Sequence, residues 1–386
     1  DPNPFVRYAP RLAWWEFVHA HGWSDAQALD AIHLTDARVA EVAGTGFRIT
    51  PLDDSRSLSD AVGLHGRVFV KNETGNVAGS HKARHLHSIL LHLLAAEALG
   101  LVPWKKPAER PPLAISSCGN AAIAAATLAA SARWPIDVFI PEWAGGIVVD
   151  TLNTLSARVT RCPRRESDPP GDPTVHRFRE AVAGGAVPFS VQGPENALCL
   201  DGGRTIGWEA ADQLSASGVD SLSGVYVQVG GGAFAASLSR GLSEGGVTAP
   251  LVAVQTAGCA PLARAWELAH DSTQAEATDW TRFMWPWEYE PTSLADGILD
   301  DETYDWVADF AQLQATHGRV VVAPETDVVT AATMVPSVTG VMASPTGTAG
   351  VAGLITDIRD HAVSGDVLVV LSGISRGSGE DSSPNR

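Results

Sequence analysis

Lysine is scarce in this chain: its 386 residues hold only Lys71, Lys82, Lys105 and Lys106. Lys and Arg together number 27 against 44 Asp and Glu, a formal net charge of −17. That surplus makes nucleic acid and anionic membrane surfaces poor partners. No apolar run approaches the length of a membrane span, and the opening Asp1-Pro-Asn-Pro has no signal-peptide layout. Cysteine is sparse too. Cys118, Cys162, Cys199 and Cys259 show no Cys-x-x-Cys spacing and read as reduced thiols of a cytoplasmic protein. Against these shortages stands a hydrophobic content of 45%, enough for one large or two mid-sized cores.

Scarcity makes the setting of Lys82 informative. Arg67 to Lys71 reads as a short strand, and Ala83 to Leu99 is apolar at helical spacing up to Gly100. Lys82 therefore stands where the Gly79-Ser80-His81 turn opens a helix, and free N–H groups at a helix start suit an anion. An amine beside an anion site is what a pyridoxal phosphate enzyme requires, because the lysine condenses with the cofactor aldehyde. A surface lysine at a helix start would fit the same residues.

Three more segments have related layouts. Leu113-Ala-Ile-Ser116 is a strand that turns through Ser117-Cys118-Gly119-Asn120 into an alanine-rich helix. That turn offers a hydroxyl, backbone N–H groups and an amide to a carboxylate or phenolic oxygen, or is simply a helix cap. Val225 to Val229 is an apolar strand that enters Gly230-Gly231-Gly232-Ala233 and leaves as a helix. Its backbone can cradle a phosphate, although a tight strand-to-helix turn explains the glycines as well. It lacks both the Gly-x-Gly-x-x-Gly and the Gly-Lys-Ser/Thr patterns. Asp366 to Leu371 is a strand ending in Ser372-Gly373, whose hydroxyl can hydrogen-bond a pyridine nitrogen.

In this order, from about Thr50 to Gly373, the four segments resemble the fold type II superfamily of pyridoxal phosphate enzymes: tryptophan synthase β, threonine synthase and the serine-threonine dehydratases. Thr50-Pro51-Leu52, Asp201-Gly202-Gly203, Val254-Gln255 and Pro345-Thr346-Gly347 add to the likeness. The resemblance implies an α/β fold with two α/β domains and pyridoxal 5'-phosphate in the cleft between them. It implies that Lys82 carries the cofactor and later acts as base, with His81 bordering the phosphate. Asn120 would meet the phenolic oxygen, Gly230, Gly231, Gly232 and Ala233 the phosphate, and Ser372 the ring nitrogen. Ser117, Cys118, Gly119 and Asn120 would hold the substrate carboxylate. A homodimer is the family expectation.

The motifs are mixed within the superfamily. His81-Lys82 and Leu371-Ser372-Gly373 look like tryptophan synthase β, whereas Ser117-x-Gly119-Asn120 looks like threonine synthase and the dehydratases. The acidic loop with which tryptophan synthase β subunits hold substrate and indole is missing, which argues against indole as second substrate, and Ala83 stands where cysteine-synthase-like enzymes usually carry Asp. The expectation is a lyase, threonine synthase- or threonine-serine dehydratase-like. It would eliminate a β- or γ-leaving group from a small amino acid by way of an external aldimine and an aminoacrylate- or vinylglycine-type intermediate. A β-replacement synthase that traps the aminoacrylate with a nucleophile is the alternative, and a cofactor-binding homologue without turnover is a third reading. The long N-terminal extension and the Ser117-x-Gly119-Asn120-Ala-Ala loop lean towards threonine synthase-like relatives; the few lysines weaken that lean, because phosphohomoserine needs a cationic pocket, which arginines could supply.

For organisation, residues 1–84 with 189–386 are expected to form the large domain, including a helical extension over Pro4 to Gly46. Residues 85–188 would form a smaller, mobile one, and 375–386 a disordered tail. His81, His85 and His92 share a helix, but zinc would need further ligands and no metal site is expected. Arg84 reads as a structural ion-pair partner. The aromatic stretch from Trp280 to Tyr289 reads as core or subunit contact, with a lid over the substrate as the other reading. Asp296, Asp300, Asp301 and Glu302 read as solvated loop and helix-start acids.

Overall fold

The computed structural model describes residues 1–376. The strands, in chain order, are β1 (Leu52–Asp54), β2 (Val68–Asn72), β3 (Leu113–Ser116), β4 (Ile136–Ile140), β5 (Arg158–Arg161), β6 (Val187–Pro188), β7 (Gly224–Gln228), β8 (Leu251–Thr256), β9 (Arg319–Ala323) and β10 (Val367–Leu371). They form a six-stranded sheet in the order β1-β2-β10-β7-β8-β9 and a four-stranded sheet in the order β5-β4-β3-β6. Only the β1–β2 pairing is antiparallel. The chain leaves the large sheet after β2, builds the small sheet, and returns through β7. The protein is thus the two-sheet α/β fold that its motifs imply.

Parallel strands are covered by helices on both faces, which is why β7, β8 and β10 read as near-continuous apolar runs. In β7, Val225 and Val227 face a cluster with Ile206, Leu238 and Phe310, while Tyr226 faces another with Val351 and Leu354. A third cluster joins the small-sheet residues Leu113, Ile115 and Val138 to Leu86 and Leu90 of the Lys82–Ala98 helix. It continues into Phe5, Trp14, Ile32 and Val39 of the N-terminal extension. The extension's Asp25–Ala43 helix starts at a reciprocal Ser24–Gln27 capping box and stops at Gly44, whose φ of +75° favours glycine.

The helix Leu198–Ala216 packs against both the Lys82–Ala98 and the Ala233–Glu244 helices. Glycine makes that approach possible: a Cβ on Gly202 would lie 2.0 Å from the Arg84 carbonyl oxygen. Among the described residues no helix is long and apolar enough to cross a membrane. All four cysteines are free. At the C-terminal end, the Ser375 N–H donates to Met342 O, and Arg376 donates to Asn120 and Ala78. The remaining stretch of the expected disordered tail, 377–386, lies outside the described residues.

Beneath the start of the Lys82–Ala98 helix lies a buried ion network. Arg84 donates to Glu73 through Nε and Nη2, both at 3.0 Å, and to Glu209 Oε2 through Nη1 at 2.7 Å. Lys71 Nζ donates to Glu209 Oε1 at 2.6 Å and to Thr50 O at 2.8 Å. None of the four charged side chains is more than 1% exposed. Burial alone would raise the Glu209 carboxyl, but Arg84 and Lys71 bring it below its ordinary value. Two cations and two anions balance here, so removing one charge strands another. Glu209→Gln is expected to cost roughly 3–5 kcal/mol of stability, read from the shift in denaturant midpoint. A change below about 1 kcal/mol would show that the network is dispensable.

Candidate active site

Ligand sites in parallel sheets form beyond the carboxyl ends of the strands, where successive loops diverge. In the large sheet β10 lies between β2 and β7, so the segments following all three strands emerge together. These are the Lys82 turn, Ser372-Gly373 and the Gly230–Ala233 loop. An isolated antiparallel bridge joins Ser80 to Gly373. The His81 N–H donates to Ser372 O at 3.1 Å, and the Ile374 N–H to Gly79 O at 2.9 Å. The turn carries its own strain, since Ala78 adopts φ +55° without being glycine.

Lys82 is the first residue of its helix and keeps part of its surface open. Burial lowers its amine pKa, with Asp300, Cys199 and Asp305 pulling partly the other way. A less basic, accessible amine is what a nucleophile or proton acceptor needs. The other buried lysine, Lys71, is bound into the ion network. His81 stacks on Phe234 at 4.0 Å and is held well below its ordinary pKa by burial and by Lys82, so it is a neutral ring. It therefore forms part of the wall between the lysine and the glycine loop. His85 directs Nδ1 to Cys199 O at 2.9 Å, and burial lowers its pKa to about 3.

Ser372 is buried and receives a hydrogen bond from Gln228 Nε2, which leaves its own hydroxyl proton free to be donated elsewhere. Asn120 opens the helix Asn120–Ser131 and reaches the same place: its Nδ2 would be 2.6 Å from a Cβ on Gly373. Its Oδ1 accepts from Arg376 Nε at 2.9 Å. Ser117, Cys118 and Gly119 lie at the end of β3 with partial exposure, and nothing lies within 4 Å of where a Gly119 Cβ would be. Burial pushes the Cys118 thiol up to about 12, with Asp296, Asp172 and Asp300 adding to the effect, so it is a neutral group. The four sequence segments are therefore brought to one cleft, three from the large sheet and one from the small.

The Gly230–Ala233 loop is covered by the segment Ile298–Asp309. A Cβ on Gly230 would lie 2.2 Å from Asp300 Oδ2, and one on Gly232, whose φ is +100°, 2.2 Å from Asp309 Oδ2. Asp300 is partly buried, and Asp305 and Asp309 are buried. This corrects the sequence reading of Asp300 as a solvated acid: its side chain turns inward onto the loop. Asp301 and Glu302 are also partly buried, and only Asp296 is fully exposed among the four. A usable signal lay in Asp305 and Asp309, four apart beside the apolar Trp306, Phe310 and Leu313, which puts two acids on one helix face at the core margin. Gln228 was missed as well, although an amide ending the apolar run Val225-Tyr-Val is itself unusual.

The sequence comparisons agree with this geometry. A family model described as pyridoxal-phosphate dependent enzyme matches residues 44–373, and the chain belongs to that family. Its cofactor is pyridoxal 5'-phosphate. A mouse serine dehydratase-like protein is 29% identical over 212 residues, which is 55% of this chain and 57% of that protein. The chain thus spans little more than half the length of this curated relative. Among solved structures, a threonine deaminase from T.th. superposes with a TM-score of 0.66 at 21% identity, covering 91% of this chain and 99% of that one. Maize serine racemase gives 0.64 at 20% identity, covering 89% and 92%. At these identities the structural matches establish the fold.

The residues present fit the cofactor. The cleft offers one accessible amine, a glycine loop opening a 12-residue helix, an amide and a buried hydroxyl. Among the described residues, Ser80 Oγ, His81 Nε2 and Gln228 Oε1 are buried there without hydrogen-bond partners. Polar atoms in that state call for a polar ligand or water. Gly232→Ala combines a positive φ with a contact too short to hold. It is expected to lower stability by about 1–3 kcal/mol and reduce cofactor retention. Thermal melts and the cofactor-to-protein ratio after desalting check this, and a wild-type ratio would refute it.

Proposed function

We propose that this chain is a lyase that removes the β-hydroxyl of a small amino acid such as serine or threonine, giving a 2-oxo acid and ammonia. The observation that carries this reading is the charge around the substrate side of the cleft. Asp296, Asp172 and Asp300 act on Cys118 as negative charges and outnumber the cation hydrogen-bonded to this loop, Arg376 on Asn120. A zwitterionic amino acid with a neutral side chain tolerates such a wall, whereas phosphohomoserine would bring a dianion towards it. The acidic wall therefore favours the dehydratase version of the expected chemistry over the threonine synthase version. The serine dehydratase-like relative is consistent with this choice.

Bound pyridoxal phosphate would supply the electron sink for the carbanion that forms at the substrate α-carbon. The chain's own groups do the rest. Lys82 Nζ holds the cofactor and then accepts the α-hydrogen. The hydroxyl of Ser117 and the N–H groups of Cys118, Gly119 and Asn120 hold the substrate carboxylate at the end of β3. The Asn120 amide meets the phenolic oxygen, Gly230 to Ala233 meet the phosphate, and Ser372 donates to the ring nitrogen. Because the carboxylate loop rides on the small sheet while the Lys82–Ala98 helix and Ser372 are anchored to the large one, movement of the small sheet towards the large closes the cleft and excludes water.

Product analysis tests the reading. L-serine and L-threonine should yield keto acid without any added thiol, and O-phosphohomoserine should yield no threonine. Lys82→Ala should lose the visible absorbance of the bound cofactor and on the order of 10²–10⁴ in turnover. Threonine formed from O-phosphohomoserine, with no keto acid from serine or threonine, would overturn the dehydratase reading. Product that forms only when a thiol is present would instead favour β-replacement, and D-serine would favour racemisation.

A further inference from the structure

The acids that cover the glycine loop have no role in the chemistry above, and their placement is unusual. An anion cradle at a helix N-terminus attracts negative charge, and here the chain brings its own. Asp305 accepts the Gly193 N–H on both carboxylate oxygens, at 3.1 and 3.0 Å, while its own N–H donates to Gly231 O at 2.7 Å. Asp300 and Asp309 press against Gly230 and Gly232. Asp309 is fully buried, and among the described residues neither of its carboxylate oxygens has a hydrogen-bond partner in good geometry, although the Ala236 N–H acts on them. A buried carboxylate in that state is costly unless it is protonated.

We propose that Asp300, Asp305 and Asp309 form an acidic strap that stands in for the anion at the glycine cradle, so that entry of a phosphate is coupled to proton uptake by the strap. The inference rests on family membership and not on the lyase reading. The charges facing the strap come from several elements. Lys82 is the cation that acts on Asp300 and Asp305. Asp301 and Asp172 act on Asp300 as like charges, and Asp305 acts likewise on Asp309. The Cys199 thiol, raised well above its ordinary value by burial and then by Asp305, is neutral, as is the phenol of Tyr304.

Burial lifts the Asp305 carboxyl to about 7 against the pull of the Gly193 and Ala233 N–H groups and of Lys82. Burial lifts Asp300 to about 6, with Lys82 opposing. A phosphate dianion placed among these carboxylates raises their proton affinity further. Each proton taken up on binding weakens affinity about tenfold per pH unit above the group's pKa in the free protein. Two other ionisations act on the same equilibrium, those of the cofactor phosphate and of Lys82. The first is shared by wild type and a strap variant and cancels in the comparison; Lys82, whose amine Asp305 acts on, does not, and a probe without the phosphate reports its share.

The experiment is equilibrium binding of pyridoxal phosphate, followed by visible absorbance from pH 6 to pH 8.5, for wild type and Asp305→Asn. Pyridoxal, which lacks the phosphate, is the second probe. Asp305→Asn should bind pyridoxal phosphate tighter than wild type at pH 8. The ratio of the two dissociation constants should grow by up to about fivefold between pH 7 and 8. For pyridoxal the two proteins should differ only by the change at Lys82, and by less than for pyridoxal phosphate. A ratio that stays constant with pH, or an Asp305→Asn protein that binds pyridoxal phosphate no tighter at pH 8, would overturn the proposal. If circular dichroism shows that Asp305→Asn fails to fold, the partly exposed Asp300→Asn carries the same expectation about one pH unit lower.

Discussion

Everything at the cleft hangs on Arg84. It lies two residues beyond Lys82, and its guanidinium is the bolt between three elements: the end of β2 through Glu73, the Leu198–Ala216 helix through Glu209, and the Thr50 segment. A planar donor fork can engage two carboxylates at once in fixed geometry, which an ammonium cannot. The helix that begins with Lys82 therefore starts at a set place relative to the large sheet. Because Leu198–Ala216 also packs on Ala233–Glu244, the same ion network indirectly sets the distance between the lysine and the glycine loop. A neutral network was necessary for this role. Two cations against two anions let the charges sit out of water without leaving any one of them unpaired.

From that anchor the convergence of distant segments follows by topology. Strand β10, the last to be made, inserts between β2 and β7, which are separated in sequence by the whole small sheet. Its insertion puts Ser372 beside the Lys82 turn on one side and, through Gln228 at the end of β7, beside the glycine loop on the other. The small sheet contributes from across the cleft, and Asn120 touches the β10 end directly. A site assembled this way exists only when the last strand is in place, so large-sheet closure and site formation are one event.

How much of this could be read from the residues depended on range. Turn chemistry is local, and the loops carrying Lys82, Asn120, Gly230–Ala233 and Ser372 were legible because three pair a short apolar strand with a glycine- or serine-bearing helix start and the fourth ends such a strand in Ser372-Gly373. The role of Arg84 as an ion-pair partner was also readable, though not its two carboxylates, which lie 11 and 125 residues away. The burial of Asp300, Asp305 and Asp309 was not legible at the level of composition. Acids in a segment such as Leu299-Asp-Asp-Glu-Thr-Tyr-Asp305 are ordinarily solvated, and only the fold places them against a helix N-terminus whose partial positive charge makes the position tolerable. The aromatic stretch divides in the same way. Phe283 and Met284 are core residues, Trp285 and Trp287 sandwich Arg264, and Tyr289 is 75% exposed.

The electrostatics of the cleft pull in two directions, and the balance between them constrains the chemistry. A site for a phosphorylated cofactor must attract a dianion, yet the side chains that cover the glycine loop are carboxylates; Lys82 acts on Asp300 and Asp305, and Arg376 is held on Asn120. Backbone N–H groups would resolve the conflict for the cofactor if it binds as proposed, since a helix N-terminus and three successive glycines attract an anion without any cationic side chain. They do nothing for a second anion further out, where Asp172 and Asp296 act on the carboxylate loop. On the proposed reading, the glycines would take one phosphate, and the substrate would bring only the carboxylate that Ser117 to Asn120 would meet. Burial that lowers the basicity of Lys82 works in the same sense, because an amine that gives up its charge readily is free both to bind an aldehyde and to accept a proton.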